Sequence, residues 1–362
     1  MIYLDNGATT LHKPPQVLRA VNRAMTAANP GRGAYGSAMA AANHLFACRQ
    51  AAGELFRCPP ERVVLTSNCT HGLNIAIRSL VPPGGRAVIS GFEHNAVTRP
   101  LYALNAQVRV AGRELFSWEN TLEEFEKALK VGADAAIFTH VSNVFGYILP
   151  VQELAALCRR YGVPFVLDAA QSAGSLPIDM EALGAAFIAM PGHKGLLGPQ
   201  GTGLLLCTQP GLPLLYGGTG SQSLLPGMPE DLPEHLEAGT QNTPGAAGLA
   251  AGIRHILKVG VSNIFRREHA QLAPCIRGLE ALGYTVYHGP HQAATVSFQG
   301  RGDCQELASM LANRGIAVRA GLHCAPLAHE SAGTLERGTV RVSFGPDAAP
   351  AQTHGLLSAL TR

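Results

Sequence analysis

From about residue 62 the chain alternates short apolar runs with longer amphipathic segments. The apolar runs are Arg62–Thr66, Ala87–Ser90, Val108–Ala111, Ala135–Thr139, Pro164–Leu167, Ala186–Met190 and Gly203–Cys207. They are rich in Val, Ile, Leu and Phe with little polar alternation, the pattern of strands covered on both faces. Helical periodicity fills several of the gaps, at Thr70–Leu80, Asn95–Leu104, Leu122–Leu129 and Val151–Tyr161. Strand alternating with helix predicts an α/β fold with a mostly parallel seven-stranded sheet and helices on both faces. The last two runs are joined by a Gly/Pro loop without a helix, which leaves room for antiparallel pairing there.

Residues 209–245 break the pattern. Gly, Pro, Ser and Thr dominate this stretch, and a loop of that length in a compact domain is usually functional or part of an interface. A helical stretch from Ala246 to about Ala281 follows, then strands near Tyr284–Tyr287 and Ala294–Phe298 and a helix at Asp303–Asn313. Strands at Ile316–Arg319 and Thr339–Phe344 and a final helix from Ala348 complete a smaller α+β domain. The expected division is a large domain over 15–250 and a small one made of 1–14 and 251–362.

Composition narrows the class. Charged residues make up 15% and hydrophobic residues 46%, which argues against disorder. A net charge of +3, with no basic run longer than two residues, gives no footprint for nucleic acid. No stretch of eighteen apolar residues predicts a membrane span, and the opening MIYLDNGATT lacks the basic region of a secretory signal. Eight cysteines lie scattered at 48, 58, 69, 158, 207, 275, 304 and 324 with no CxxC pair. Neither a metal site nor a disulfide framework is indicated, and a reducing, cytoplasmic location suits such thiols.

Only five lysines occur, and Lys127, Lys130 and Lys258 sit on helical patterns as solvated charges. Lys194 stands apart, in MPGHKGLLGPQG just after an apolar run. Such a lysine can contact phosphate, form a Schiff base or simply face solvent. Asp168 ends the run PFVLD, at the carboxyl edge where open α/β sheets bind ligands, although an acid there can also cap the next helix. A lysine that forms an imine and an aspartate that keeps a pyridinium protonated are together what a pyridoxal phosphate (PLP) site needs.

The strings YLDNGATT, TSNCTHGLN, EHNAV, VSNVFG, VLDAAQSAG, PGHKGLLGPQG, EAGTQNTPG, VRAGLHCAP and TVRVSFG occur in that order between about residues 3 and 345. This set resembles the PLP-dependent class V aminotransferase-like enzymes of fold type I, in the cysteine desulfurase and selenocysteine lyase branch and of the group II type. The resemblance implies that Lys194 holds the cofactor and shuttles the Cα proton, that Asp168 pairs with the pyridine nitrogen, and that Gln171 bonds the phenolic oxygen. It places His94 on the ring face as a candidate acid or base. Thr70 and His193 would anchor the phosphate, with Thr240 reaching it from a neighbouring subunit. As plainer readings, Gln171 is a surface amide, His94 a loop histidine and Thr70 an N-cap.

Arg341, among apolar neighbours in TVRVSFG, suits an α-carboxylate, with Asn143 on the cofactor and substrate side; a structural salt bridge is the alternative. Arg319 is a weaker candidate for orienting the cysteine loop. Cys324 lies in a loop rather than an apolar run, where a thiol can meet substrate sulfur. Two departures from the family pattern surround the phosphate cup, Pro191 in place of a serine and Cys69. Leu322 stands where some relatives have a histidine, and His323 carries no assigned role.

The resulting expectation is a homodimeric cysteine desulfurase that converts L-cysteine to L-alanine and leaves a persulfide on Cys324 for a sulfur-acceptor protein. Selenocysteine lyase is the first alternative. A class V aminotransferase or epimerase has no reason for the Cys324 loop, and a non-catalytic PLP-fold binding protein has no reason to keep Lys194, Asp168 and His94.

Overall fold

The computed structural model describes residues 1–30, 33 and 35–361. In chain order its strands are β1 (Ile2–Tyr3), β2 (Val63–Thr66), β3 (Arg86–Ser90), β4 (Gln107–Ala111), β5 (Ala135–Thr139), β6 (Phe165–Asp168), β7 (Phe187–Pro191), β8 (Gly203–Cys207), β9 (Thr285–Tyr287), β10 (Thr295–Gln299), β11 (Ile316–Ala317), β12 (Arg319–Gly321) and β13 (Thr339–Ser343). The seven expected runs become one seven-stranded sheet in the order β2-β8-β7-β6-β5-β3-β4. The pairs β4–β3, β3–β5, β5–β6 and β6–β7 are parallel. As the helix-free loop allows, β8 runs antiparallel to both of its neighbours.

Alternate residues of each inner strand divide between two apolar clusters, one on each face. On β5, Phe138 and Ala136 pack in one cluster while Ile137 and Ala135 pack in the other. The edge strand β4 is the exception. Gln107, Val108 and Arg109 are exposed, whereas the opposite edge strand β2 stays covered.

Helices at Pro15–Ala24 and Gly36–Phe56, which the hydrophobic pattern did not predict, pack against the helix Thr243–Val259. The long expected helical stretch is three helices, Thr243–Val259, Val261–His269 and Leu272–Ala281. The expected domain boundary at 250 therefore falls inside a continuous helix whose Ile253 and Ile256, with Ile264 beyond it, join the larger core. A third apolar cluster combines Leu4 with residues from Leu272 to Ala359 beneath the antiparallel sheet β12-β13-β10-β9. The expected strand Ile316–Arg319 is two strands in different sheets: β11 pairs with β1 in parallel, and β12 pairs with β13. No helix among the described residues is long and apolar enough to cross a membrane.

Tight glycine packing seats the loop after β7. A Cβ at Gly252, in the middle of the helix Thr243–Val259, would stand 2.4 Å from the carbonyl oxygen of Leu196. Alanine there gains about 1 kcal/mol of helix propensity, against an overpacking cost of about 1–3 kcal/mol. Because the obstacle is backbone rather than a flexible side chain, the cost wins. Gly252→Ala is expected to lower stability by roughly 1 kcal/mol in urea unfolding; an unchanged midpoint would show that the loop yields.

Candidate active site

A cavity of about 120 Å³ opens at the carboxyl edge of the large sheet. Lys194, Asp168, His94, Gln171, Thr70, His193 and Asn143 all line it, with Pro191 and Cys69. Each arrives from a strand end or the turn beyond it. Asp168 ends β6, Pro191 ends β7, and the helices Cys69–Leu80 and Asn95–Ala103 begin just after β2 and β3.

Burial dominates the electrostatics. Asp168 is buried, which raises its carboxyl above the usual range, against the opposing pull of the Ala170 N–H and of Lys194. Burial likewise lowers the Lys194 amine, and Arg341 adds repulsion, favouring the neutral amine that nucleophilic chemistry requires. His94 caps the helix Asn95–Ala103, its Nδ1 accepting the Ala96 N–H at 3.0 Å. That bond leaves the ring proton on Nε2, and burial with nearby Lys194 lowers the ring to about 4. His193 is also held neutral, lowered to about 4 by burial and Lys194.

Some expected residues have other partners. Gln171 donates Nε2–H to the Gly7 carbonyl at 3.0 Å while lining the cavity. Thr70 is exposed and does not cap its helix; Asn68 does, accepting the His71 N–H at 2.8 Å. Asn143 donates to the His323 carbonyl at 2.8 Å. Arg341 is 1% exposed and outside the cavity lining. Its guanidinium meets Asp5 at 2.6 Å and the Asn143 carbonyl at 2.8 Å, with Nε unpartnered, so the salt-bridge alternative is the arrangement present. Thr240 lies in a neighbouring cavity of about 250 Å³ with Ser67, His71 and Glu237, away from Lys194.

Cys324 is exposed, whereas the other seven cysteines are buried. It stands outside the cavity lining, in a loop pinned to residues that belong to it. The Asn95 N–H donates to the Cys324 carbonyl at 2.8 Å, next to the cap residue His94. His323 and Cys324 both hold left-handed backbone, at φ 50° and 58°, a conformation costly for non-glycine residues. Arg319 Nη2 approaches the Cys324 sulfur at 3.7 Å. His323 points away, its Nε2 against Thr339, and burial lowers it to about 2. That ring is a buried anchor.

Sequence reading missed two parts of this arrangement. The first is Glu93, fully buried beside His94, whose Oε1 accepts the Ser90 hydroxyl and the Thr139 N–H while Oε2 has no partner. The EH dipeptide was its only signal. The second is the N-terminal arm. Thr9, Thr10 and Lys13 bind the backbone carbonyls of His193 and Lys194, with Lys13 Nζ at 2.6 Å from the His193 oxygen. Burial lowers Lys13 to about 8.

Residues 2–353 match the family described as aminotransferase class-V. A probable cysteine desulfurase of Pyrococcus abyssi is 33% identical, covering 95% of this chain and 89% of the relative. A probable cysteine desulfurase of Methanothermobacter thermautotrophicus is 32% identical, covering 95% of this chain and 90% of the relative. Among solved structures, the apo cysteine desulfurase of Thermococcus onnurineus NA1 superposes with a TM-score of 0.92 at 32% identity, over 99% of this chain and 93% of that one. A cysteine desulfurase of Escherichia coli in an S-sulfonic acid form gives 0.84 at 25% identity, over 100% of this chain and 94% of that one. With a lysine, a buried aspartate and a neutral histidine converging on one cavity in this fold, the chain belongs to the PLP-dependent class V aminotransferase family, in its cysteine desulfurase branch.

Proposed function

We propose that this enzyme takes sulfur from L-cysteine, releases L-alanine and carries the sulfur as a persulfide on Cys324. The observation that carries the reading is the contrast between one exposed loop thiol and seven buried ones, with that loop tied to the residues of the cavity. The donor set fits PLP: an amine held toward neutrality, a buried carboxylate, a neutral imidazole, and the start of the helix Cys69–Leu80, whose His71 N–H is taken by Asn68, for a phosphate. Lys194 would hold the cofactor, Asp168 its ring nitrogen, Gln171 its phenolic oxygen, His94 its face, and Thr70 and His193 its phosphate. When bound, PLP supplies an electron sink that makes the substrate Cα proton acidic.

The chain's own groups supply the rest. Lys194, as a neutral amine, takes and returns the Cα proton. Arg341 would receive the substrate carboxylate in exchange for its bond to Asp5, and Asn143 holds both the guanidinium and the cysteine loop. The Cys324 thiolate attacks the substrate sulfur, with Arg319 beside it as a counter-charge. An S–S bond forms as the Cβ–S bond breaks, the bonding pair stays with carbon, and a proton completes the methyl group of alanine. Persulfide sulfur then passes to an acceptor protein.

Thr240, exposed beside a loop that also exposes Leu215, Tyr216 and Leu224, supports a homodimer in which it reaches the partner's phosphate site. Eight unpaired thiols support a reducing, cytoplasmic setting. A two-domain division is best drawn near residues 270–271, where the larger core gives way to the smaller.

Two measurements follow. Cys324→Ala should retain the visible absorbance of bound PLP and lose alanine release from L-cysteine by about tenfold or more, with release from L-selenocysteine falling less because selenium is the better leaving group. Unchanged release from L-cysteine would overturn the persulfide role. Separately, burial raises the Glu93 carboxyl to about 8 from an ordinary 4.5. Its protonation therefore stabilises the fold fully below 4.5, and that contribution is lost as pH rises through about 8. Glu93→Gln mimics the neutral acid, so melting curves should match wild type near the low end of this window and favour the variant above it. A difference independent of pH would mean that folding leaves the Glu93 titration unchanged.

A further inference from the structure

Asp168 has two carboxylate oxygens in unequal surroundings. Oδ1 accepts the Ala170 N–H at 2.9 Å and faces the Cys69 thiol, whose sulfur lies 3.6 Å away, within the longer reach of an S–H donor. Oδ2 has no protein donor among the described residues, and Asp168 lines the cavity. The two side chains are 3% and 8% exposed, so water does not compete for the contact. They come from distant parts of the sheet. Cys69 opens the helix after β2, Asp168 ends β6, and β8 and β7 lie between those strands. The helix Cys69–Leu80 packs across β8, β7 and β6, and this carries the thiol over two strands to the carboxylate.

We propose that Cys69 is a positioning residue: its S–H donates to Asp168 Oδ1, fixes the carboxylate rotamer together with the Ala170 N–H, and leaves Oδ2 to face the cofactor's ring nitrogen. This rests on the PLP reading given above. Burial and the neighbouring Asp168 raise the Cys69 thiol well above its ordinary value, so it stays a donor. A thiol is a weak donor, and it draws less negative charge to Oδ1 than a hydroxyl would. Charge then remains on the oxygen that must keep the pyridinium protonated. The departure at Cys69 from the family pattern would thus bear on Asp168 rather than on the phosphate.

Shape and donation are separable by substitution. Cys69→Val keeps an apolar side chain of similar bulk without a donor, and Cys69→Ser keeps a donor and loses bulk. The PLP dissociation constant of stripped and re-titrated protein should rise about fivefold in Cys69→Val and stay within about twofold in Cys69→Ser. The reverse order would mean that Cys69 only fills space and would overturn the proposal. A cofactor-free readout accompanies it. The Cys69 S–H infrared band, isolated as the difference between PLP-free wild type and Cys69→Ser, should move to higher frequency in an Asp168→Asn background. A band that ignores Asp168→Asn also refutes the hydrogen bond. Failure of wild type to bind PLP would instead sink the cofactor reading, leaving the infrared result to decide the Cys69 contact.

Discussion

The Arg341–Asp5 ion pair, 2.6 Å long, joins the two ends of the chain at the site. A guanidinium only 1% exposed cannot remain unpaired, because the desolvation cost of an isolated buried charge exceeds what packing returns. Asp5 answers that demand and fixes where the N-terminal arm runs. Past Asp5 the arm lays Gly7 against the guanidinium, so closely that a Cβ there would sit 3.1 Å from Cζ. Thr9, Thr10 and Lys13 then reach the carbonyls of His193 and Lys194. One short segment thus sets the spacing between the arginine on β13 and the lysine after β7, which no direct bond connects.

Burial then decides which groups carry charge. His94, His193 and His323 are all pushed well below the usual histidine range. Glu93 is pushed up toward neutrality behind Ser90 and Thr139, which keeps a second negative charge away from Asp168. Hydrogen bonds on Asp168 Oδ1 oppose burial there, and Arg341 keeps its charge through Asp5. A cavity with few charges and low local dielectric strengthens whichever interactions remain, which is the condition for handling a proton at carbon.

How much of this was legible in the sequence follows from the range of each constraint. Strands buried on both faces announce themselves as continuous apolar runs, and all seven strands, the exposed edge strand β4 included, appear within a residue of their bounds. Motif residues at strand ends were legible for the same reason, because the carboxyl edge of such a sheet is where ligands bind. Asp5 was not legible as the partner of Arg341, since 336 positions separate them and nothing local signals the pairing. Glu93 sits in a polar turn, where an acid ordinarily faces solvent. The break between β11 and β12 depends on β1 arriving from the far end of the chain. Helix Gly36–Phe56 is alanine-rich with weak amphipathic contrast, because its exposed face carries Met39 and Phe46 in place of the polar stripe that periodicity detects.

Cys324 raises a different question, since an exposed thiol needs no mobile loop to be accessible. Two successive left-handed residues cost about 1–3 kcal/mol each outside glycine, and a slack loop would relax them. The bonds from Asn143 to the His323 carbonyl and from the Asn95 N–H to the Cys324 carbonyl prevent that relaxation. Both come from the cavity side, and the buried His323 ring against Thr339 holds the other. The loop's conformation is therefore subordinate to the cavity's. A change in Asn143 or in the start of the helix Asn95–Ala103 would displace the thiol before it displaced the fold, because the β-sheet beneath them carries its own core. The position of the sulfur and the wall of the cavity are therefore linked through the Asn143 side chain and the carbonyls of His323 and Cys324.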